Sequence, residues 1–311
     1  MTKEALLNTK ERISPLIHRT PVLSSTQLNK IARTSIFFKC ENFQKMGAFK
    51  MRGAANAILN LSDKQKENGV VTHSSGNFAQ AVSLAAQMNG IKANIVMPST
   101  APKVKQEAVK GYGGLITICP PTIRDREAAA IKIVQETGAT FLHPSNDLDV
   151  ILGNGTAAME LLEDQPDLNY ILTPVGGGGL VAGTALTAHY FGDNCKTIGG
   201  EPFVVDDAYR SLLSGKIESN ESTDTIADGL RTNLGDINFP IIQKHVEEII
   251  RVTEEEIIAA MRLIWERLKI IVEPSCAVPF AAVLKEKSKF QEKKIGIIIS
   301  GGNVDLGKLP F

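Results

Sequence analysis

The chain has 311 residues, with 34 basic and 34 acidic side chains and a formal net charge of zero at pH 7. That length supports one large domain or two closely joined ones with a cleft between them, and the charge balance leaves no basic excess to attract nucleic acid or an anionic membrane. Cys40, Cys119, Cys195 and Cys276 are scattered, which excludes a disulfide framework or a C-x-x-C zinc site and fits a reducing cytoplasm.

Met1 to Arg12 mixes acids and bases without an apolar stretch, and no segment reaches bilayer length. Neither a signal peptide nor membrane insertion is expected. The run from Asn42 to Gly53 places Lys50 beside apolar neighbours, where loss of water favours the neutral amine that forms a Schiff base. Judged alone, such a lysine reads as a solvated surface group. Val70 to His73 reads as a buried strand, Ser74-Ser75-Gly76 as a turn, Asn77 to Met88 as a helix stopped by Asn89-Gly90, and Ile95 to Met97 as the next strand.

A second unit follows, with strand Tyr170 to Val175, the run Gly176-Gly177-Gly178-Gly179, and an Ala-rich helix through about Ala188. Thr253-x-x-Glu256 is a capping box that opens a helix with Ile257, Met261, Ile264 and Leu268 on one face. Ile295 to Ile299 reads as a strand running into Ser300-Gly301-Gly302-Asn303. Strands alternating with helices predict an α/β fold on a mostly parallel sheet.

Ligands of such sheets sit beyond the carboxyl ends of the strands, so the junctions at Ser74, Gly176 and Ser300 are expected to face one crevice. Four consecutive glycines each cost roughly 1 kcal/mol relative to alanine. They read either as a flexible turn or as backbone N–H groups closing around an anion at a helix start. The run lacks the Gly-x-x-x-x-Gly-Lys-Ser/Thr arrangement and a suitably placed downstream acid, which argues against a nucleotide.

Gly47-Ala48-Phe49-Lys50, Ser74-Ser75-Gly76-Asn77, the tetraglycine run and Ser300-Gly301-Gly302-Asn303 occur in the order found in fold-type II pyridoxal 5′-phosphate (PLP) enzymes. Nearly the whole chain resembles their serine racemase and serine/threonine dehydratase branch. The resemblance implies a tryptophan synthase β-like fold: two open, twisted, mostly parallel sheets flanked by helices. Residues 1–68 and 146–311 would form a large PLP-binding domain, and residues 69–145 a small domain closing over the active site.

The resemblance further implies Lys50 as the lysine that carries PLP and as a catalytic base, with Phe49 beside it at the cofactor. Gly176, Gly177, Gly178 and Gly179 would cradle the phosphate, Asn77 would meet the phenolic oxygen and Ser300 the pyridine nitrogen. Ser74, Ser75 and Asn77 would hold the substrate carboxylate, with Ser75 as a second proton donor. A hydroxyl at Ser300 does not enforce pyridine protonation as a carboxylate would, so the ring is a milder electron sink, suited to prompt loss of a β-hydroxyl.

Gly200 to Asp207 resembles the divalent-cation loop of serine racemases, with Glu201 and Asp207 as carboxylate ligands and Val205 offering its carbonyl. Such oxygen ligands suit Mg²⁺, Ca²⁺ or Mn²⁺; outside that context the loop reads as an acidic surface turn. Thr225-Ile226-Ala227-Asp228-Gly229 matches the same branch. One departure stands out: Phe78 occupies the place where the family commonly has histidine. His73, His143, Cys276 and Trp265 read as structural or wall residues.

The resemblance implies a cytoplasmic homodimer that deaminates L-threonine or L-serine to a 2-oxo acid and ammonia. The short, catabolic-like type is expected, because the chain ends directly after the last motif. The alternatives are serine racemase with side dehydratase activity, through Ser75, and 3-hydroxyaspartate dehydratase. β-Replacement is disfavoured because the loop reads Ser-Ser-Gly-Asn-Phe and not Thr-Ser-Gly-Asn-Thr. From other classes, a cofactor-binding protein without turnover and a nucleotide-dependent dehydrogenase remain open.

Overall fold

Ten strands alternate with helices along residues 1–311, all of which the computed structural model describes. They are β1 (Val22–Leu23), β2 (Ser35–Cys40), β3 (Val70–His73), β4 (Ala93–Pro98), β5 (Leu115–Cys119), β6 (Thr140–Phe141), β7 (Tyr170–Pro174), β8 (Lys196–Pro202), β9 (Val246–Val252) and β10 (Lys294–Ile299). One six-stranded sheet has the order β1-β2-β10-β7-β8-β9, and a four-stranded sheet has the order β5-β4-β3-β6. Only β1 runs antiparallel to its neighbour. This is the expected α/β architecture of two mostly parallel sheets flanked by helices.

Parallel strands are covered on both faces and so read as continuous apolar runs. Ile295, Ile297, Ile298 and Ile299 of β10 are all fully buried between β2 and β7. β4 extends beyond the expected Ile95 to Met97, because Ala93, Asn94 and Pro98 are also buried between β3 and β5. Asn94 is a polar residue inside a sheet, which hides that strand's start from a hydrophobic pattern. The helix Asn77–Met88 has the expected bounds. The capping box opening Glu254–Leu268 is formed, with Thr253 Oγ1 accepting from Glu256 N–H at 3.3 Å and Glu256 Oε2 from Thr253 N–H at 2.8 Å.

Two features hold the site in place. Helix Lys50–Leu59 packs Met51, Ala54 and Ile58 against Phe78 and Val82 of helix Asn77–Met88, in one apolar cluster with Val70, Ile95 and Met97 of the four-stranded sheet. On its other side lies an ionic cluster. Arg52 donates to Glu41 at 2.7 and 2.8 Å and to Glu160 at 2.8 Å, while Lys39 Nζ reaches Glu160 at 2.6 Å. All four side chains are buried. The charges balance two against two, and removing one partner of such a cluster strands its neighbours at a cost of about 3–5 kcal/mol. Arg52 is two residues from Lys50, so the cluster fixes the turn that carries the lysine.

Candidate active site

The chain reaches Lys50 through a zipper. Phe49 N–H donates to the Ser300 carbonyl and Gly302 N–H to the Gly47 carbonyl, both at 2.9 Å. Gly47 takes φ +77°, and a Cβ there would come within 2.9 Å of Asn303 Oδ1. Glycine is required on both counts. The first and last motifs are thereby paired side by side.

Lys50 then opens helix Lys50–Leu59 and stands half-buried. Its Nζ donates to the Pro144 carbonyl at 2.6 Å and lies 5.1 and 5.5 Å from the ring centroids of Phe49 and Phe78. Desolvation pushes its pKa down to about 8, against the opposing pull of Glu273. Phe78 is therefore part of the wall that dries the amine.

Asn77 is held from two sides. Its Nδ2 donates to both Glu273 oxygens at 3.0 and 3.1 Å, and its Oδ1 accepts from Asn303 Nδ2 at 2.9 Å. Burial, then repulsion from Asp228, pushes the Glu273 carboxyl up to about 7. Sequence reasoning missed Glu273, although a lone acid in Ile270-Ile271-Val272-Glu273-Pro274 was the available signal. Ser300 lies with its Oγ 3.2 Å from Cys276 Sγ, which accepts from Gly301 N–H at 2.9 Å and donates to the Gly301 carbonyl at 2.7 Å. Cys276 is the wall that fixes the Ser300 turn.

The glycine run follows β7, and Gly179 starts helix Gly179–Phe191. A Cβ on Gly177 would stand 2.3 Å from Ser145 Oγ, one on Gly176 2.8 Å from Leu230 Cα, and one on Gly179 2.9 Å from the Ser145 carbonyl. Asn238 Nδ2 donates to the carbonyls of Gly177 at 2.8 Å and Ser145 at 3.2 Å. The glycine run is thus packed closely against Ser145 and Leu230 and leads into a helix start, whose first-turn N–H groups suit a phosphate. Ser145 follows Pro144, the residue whose carbonyl receives Lys50, so cradle and lysine share one turn. Dry amine, phosphate cradle, Asn77 and Ser300 together fit PLP.

Ser74 and Ser75 lie half-buried between β3 and helix Asn77–Met88, where Ser74 Oγ accepts from Gly76 N–H at 3.3 Å. The first-turn N–H groups of that helix have no intrahelical partner and suit a carboxylate.

Elsewhere, Glu201 near the end of β8 and Asp207 at the start of helix Asp207–Ser214 are both fully buried, with buried Val205 between them. Glu201 accepts from the N–H groups of Ala208 at 3.1 Å and Tyr209 at 2.9 Å; Asp207 accepts from Asn220 Nδ2 at 2.6 Å and Leu234 N–H at 2.9 Å. The nearby arginines Arg210 and Arg251 pair instead with Asp206. Burial and the facing carboxylate raise Glu201 well above the ordinary range, and burial takes Asp207 to about 6. No third histidine, cysteine or acid joins them, so any ion here would meet oxygen ligands only.

The sequence matches the family of pyridoxal-phosphate dependent enzymes over residues 13–301. It is 47% identical to the β-hydroxyaspartate dehydratase of Paracoccus denitrificans over 310 residues, covering 100% of this chain and 98% of that one. The serine racemase of Dictyostelium discoideum superimposes with a TM-score of 0.94 at 48% identity, covering 98% of this chain and 99% of the other. The serine racemase of maize gives 0.95 at 46% identity, covering 98% and 94%, and a threonine deaminase from T.th. gives 0.93 at 39% identity, covering 98% and 99%. On these full-length likenesses, the chain belongs to the pyridoxal-phosphate dependent enzyme family, in its branch of racemases and dehydratases.

Proposed function

We propose that this chain racemises serine and, as a second activity, removes water from small hydroxy-amino acids. The observation that carries the reading is the Ser74-Ser75-Gly76-Asn77 turn at a helix start, joined through Asn77 and Phe78 to the lysine site, in a chain similar over its whole length to a serine racemase. These likenesses favour racemisation over threonine deamination as the main activity. The β-hydroxyaspartate dehydratase and the threonine deaminase among the relatives support elimination as the second.

In this reading Lys50, Gly176 to Gly179, Asn77 and Ser300 hold PLP. Bound PLP supplies an electron sink that stabilises negative charge at the substrate Cα. Ser74, Ser75 and Asn77 bind the carboxylate at the helix start and orient Cα. Lys50, with a pKa near 8, has a sizeable neutral fraction at pH 7 to 8 and takes the Cα proton. The Pro144 carbonyl aims its Nζ, and Phe49 and Phe78 keep water away. Lys50 can serve only one face of a planar Cα, so inversion requires Ser75 on the other; elimination from the L-enantiomer needs Lys50 alone.

We assign residues 1–68 and 146–311 to a large domain and 69–145 to a small one, since all strands of the four-stranded sheet lie between Val70 and Phe141. Glu201, Asp207 and the Val205 carbonyl are proposed to hold a divalent cation, on the strength of two buried carboxylates without a cationic side chain paired to them.

The test is Ser75→Ala. Racemisation and all action on D-serine should fall by about 10²–10⁴-fold, while elimination from L-serine stays substantial. Equal loss of both activities would overturn the two-base reading and leave Ser75 as a carboxylate ligand.

A further inference from the structure

His143 stands after β6 in the turn His143-Pro144-Ser145-Asn146. Its Nδ1 accepts two backbone N–H groups, from Ser145 at 3.2 Å and Asn146 at 2.8 Å. An acceptor at Nδ1 places the ring proton on Nε2 and requires a neutral imidazole. Burial, His73 and Lys50 all disfavour the charged form, taking the pKa down to about 4.

The pattern, one acceptor bonded to the N–H groups two and three residues on, is that of an Asx turn. The same loop repeats it four residues later, where Asp147 Oδ1 accepts from Asp149 N–H at 2.9 Å and Val150 N–H at 3.3 Å. At position 143 an imidazole does what a carboxylate or amide ordinarily does.

What the turn carries makes this matter. The Pro144 carbonyl sits 2.6 Å from Lys50 Nζ. Ser145 walls the glycine run, and its carbonyl accepts from Asn238 Nδ2 at 3.2 Å. Asn146 Oδ1 accepts from Ile237 N–H at 2.8 Å and Asn238 N–H at 3.3 Å. Three consecutive residues thus touch the lysine, the phosphate cradle and the loop behind it.

We infer that His143 is a positioning residue: by accepting the Ser145 and Asn146 N–H groups, its Nδ1 holds the Pro144 carbonyl on Lys50 and Ser145 against the glycine cradle. This rests on the PLP reading of the site. The competing role is packing, since the ring also lies edge-on to His73 at 6.0 Å and Phe141 at 6.2 Å, beside a cavity of about 560 Å³. The two roles separate by chemistry. Phenylalanine keeps the packing and loses the acceptor; asparagine loses the packing and supplies Oδ1 for the same two bonds.

In the PLP-loaded protein, His143→Phe and His143→Ala should lose about 10- to 100-fold in kcat with little change in KM. PLP affinity, read by the visible absorption on dilution, should also fall. His143→Asn should recover most of both. A phenylalanine variant as active as the natural protein, or an asparagine variant as impaired as phenylalanine, overturns the inference. Should neither the alanine nor the phenylalanine variant fold, ¹⁵N NMR of the unmodified chain decides, with only five histidines to assign. A pyridine-type Nδ1 and a protonated Nε2 at pH 7 are expected, and an Nδ1–H tautomer or an imidazolium would refute them. Failure of the protein to bind PLP at all would defeat the functional reading, while the tautomer is still read from the same spectrum.

Discussion

An amine dried by Phe49 and Phe78 has a cost in stability that its chemistry requires. Lys50 titrates near 8 in the folded chain, below its ordinary 10.5. The folded state therefore binds fewer protons between those values, and its stability rises with pH across that window. Below pH 8 the penalty is present in full, about 1–2 kcal/mol after allowance for solvent at a half-buried group. Lys50→Ala should thus abolish turnover and the yellow colour, while the PLP-free chain melts at the same temperature as the natural one or slightly higher at pH 7. Near-normal turnover in that variant would remove Lys50 from its role. At this scale the sequence was informative where a residue's neighbours along the chain set its environment, as Phe49 does for Lys50. It marked Glu273 only as a lone acid in an apolar run and said nothing of its partner, Asn77, 196 positions away.

The glycine run shows why an element's ends matter more here than its body. Gly178 takes φ +82°, but Gly177 has no such conformation and is glycine only because Ser145 and Thr232 leave a Cβ no room. Gly177→Ala should therefore fold and bind PLP about 10-fold or more weakly, since a methyl within 2.3 Å of Ser145 Oγ displaces the cradle wall. Gly111→Ala, at a helix end with nothing within 4 Å of the added methyl, is the control, and it should gain about 0.5 kcal/mol in stability. Equal PLP affinity in the two variants, measured by titration, would mean that the run is only a flexible turn. The helix itself was legible from its Ala-rich run, though it continues to Phe191, beyond the expected Ala188, because Tyr190 and Phe191 pack onto the apolar cluster beside it.

For the molecule as a whole, the carboxylate pair at Glu201 and Asp207 ties β8, helix Asp207–Ser214 and the loops at Asn220 and Leu234 together. Asp207 titrates near 6 when folded, above its ordinary 3.8. The folded state then binds more protons, so its stability falls as pH rises from about 4 to 6, by about 3 kcal/mol in full. A cation bound between the two carboxylates would reverse that penalty. Added Mg²⁺ should raise the melting temperature more at pH 7.5 than at pH 5, and Asp207→Asn should remove both the Mg²⁺ response and much of the pH slope. A melting temperature indifferent to chelator, Mg²⁺ and Ca²⁺ would sink the cation. By itself the sequence determined the alternation of strands and helices, the cap at Thr253 and the glycine- and serine-rich segments that follow the strands, because these depend on residues a few positions apart. Only the tertiary structure decided that β10 inserts between β2 and β7, that Cys276 holds Ser300, and that the His143 turn reaches both Lys50 and the glycine run. Those contacts join segments far apart in the chain, and which distant faces meet is settled by burying apolar surface and pairing every buried polar group together.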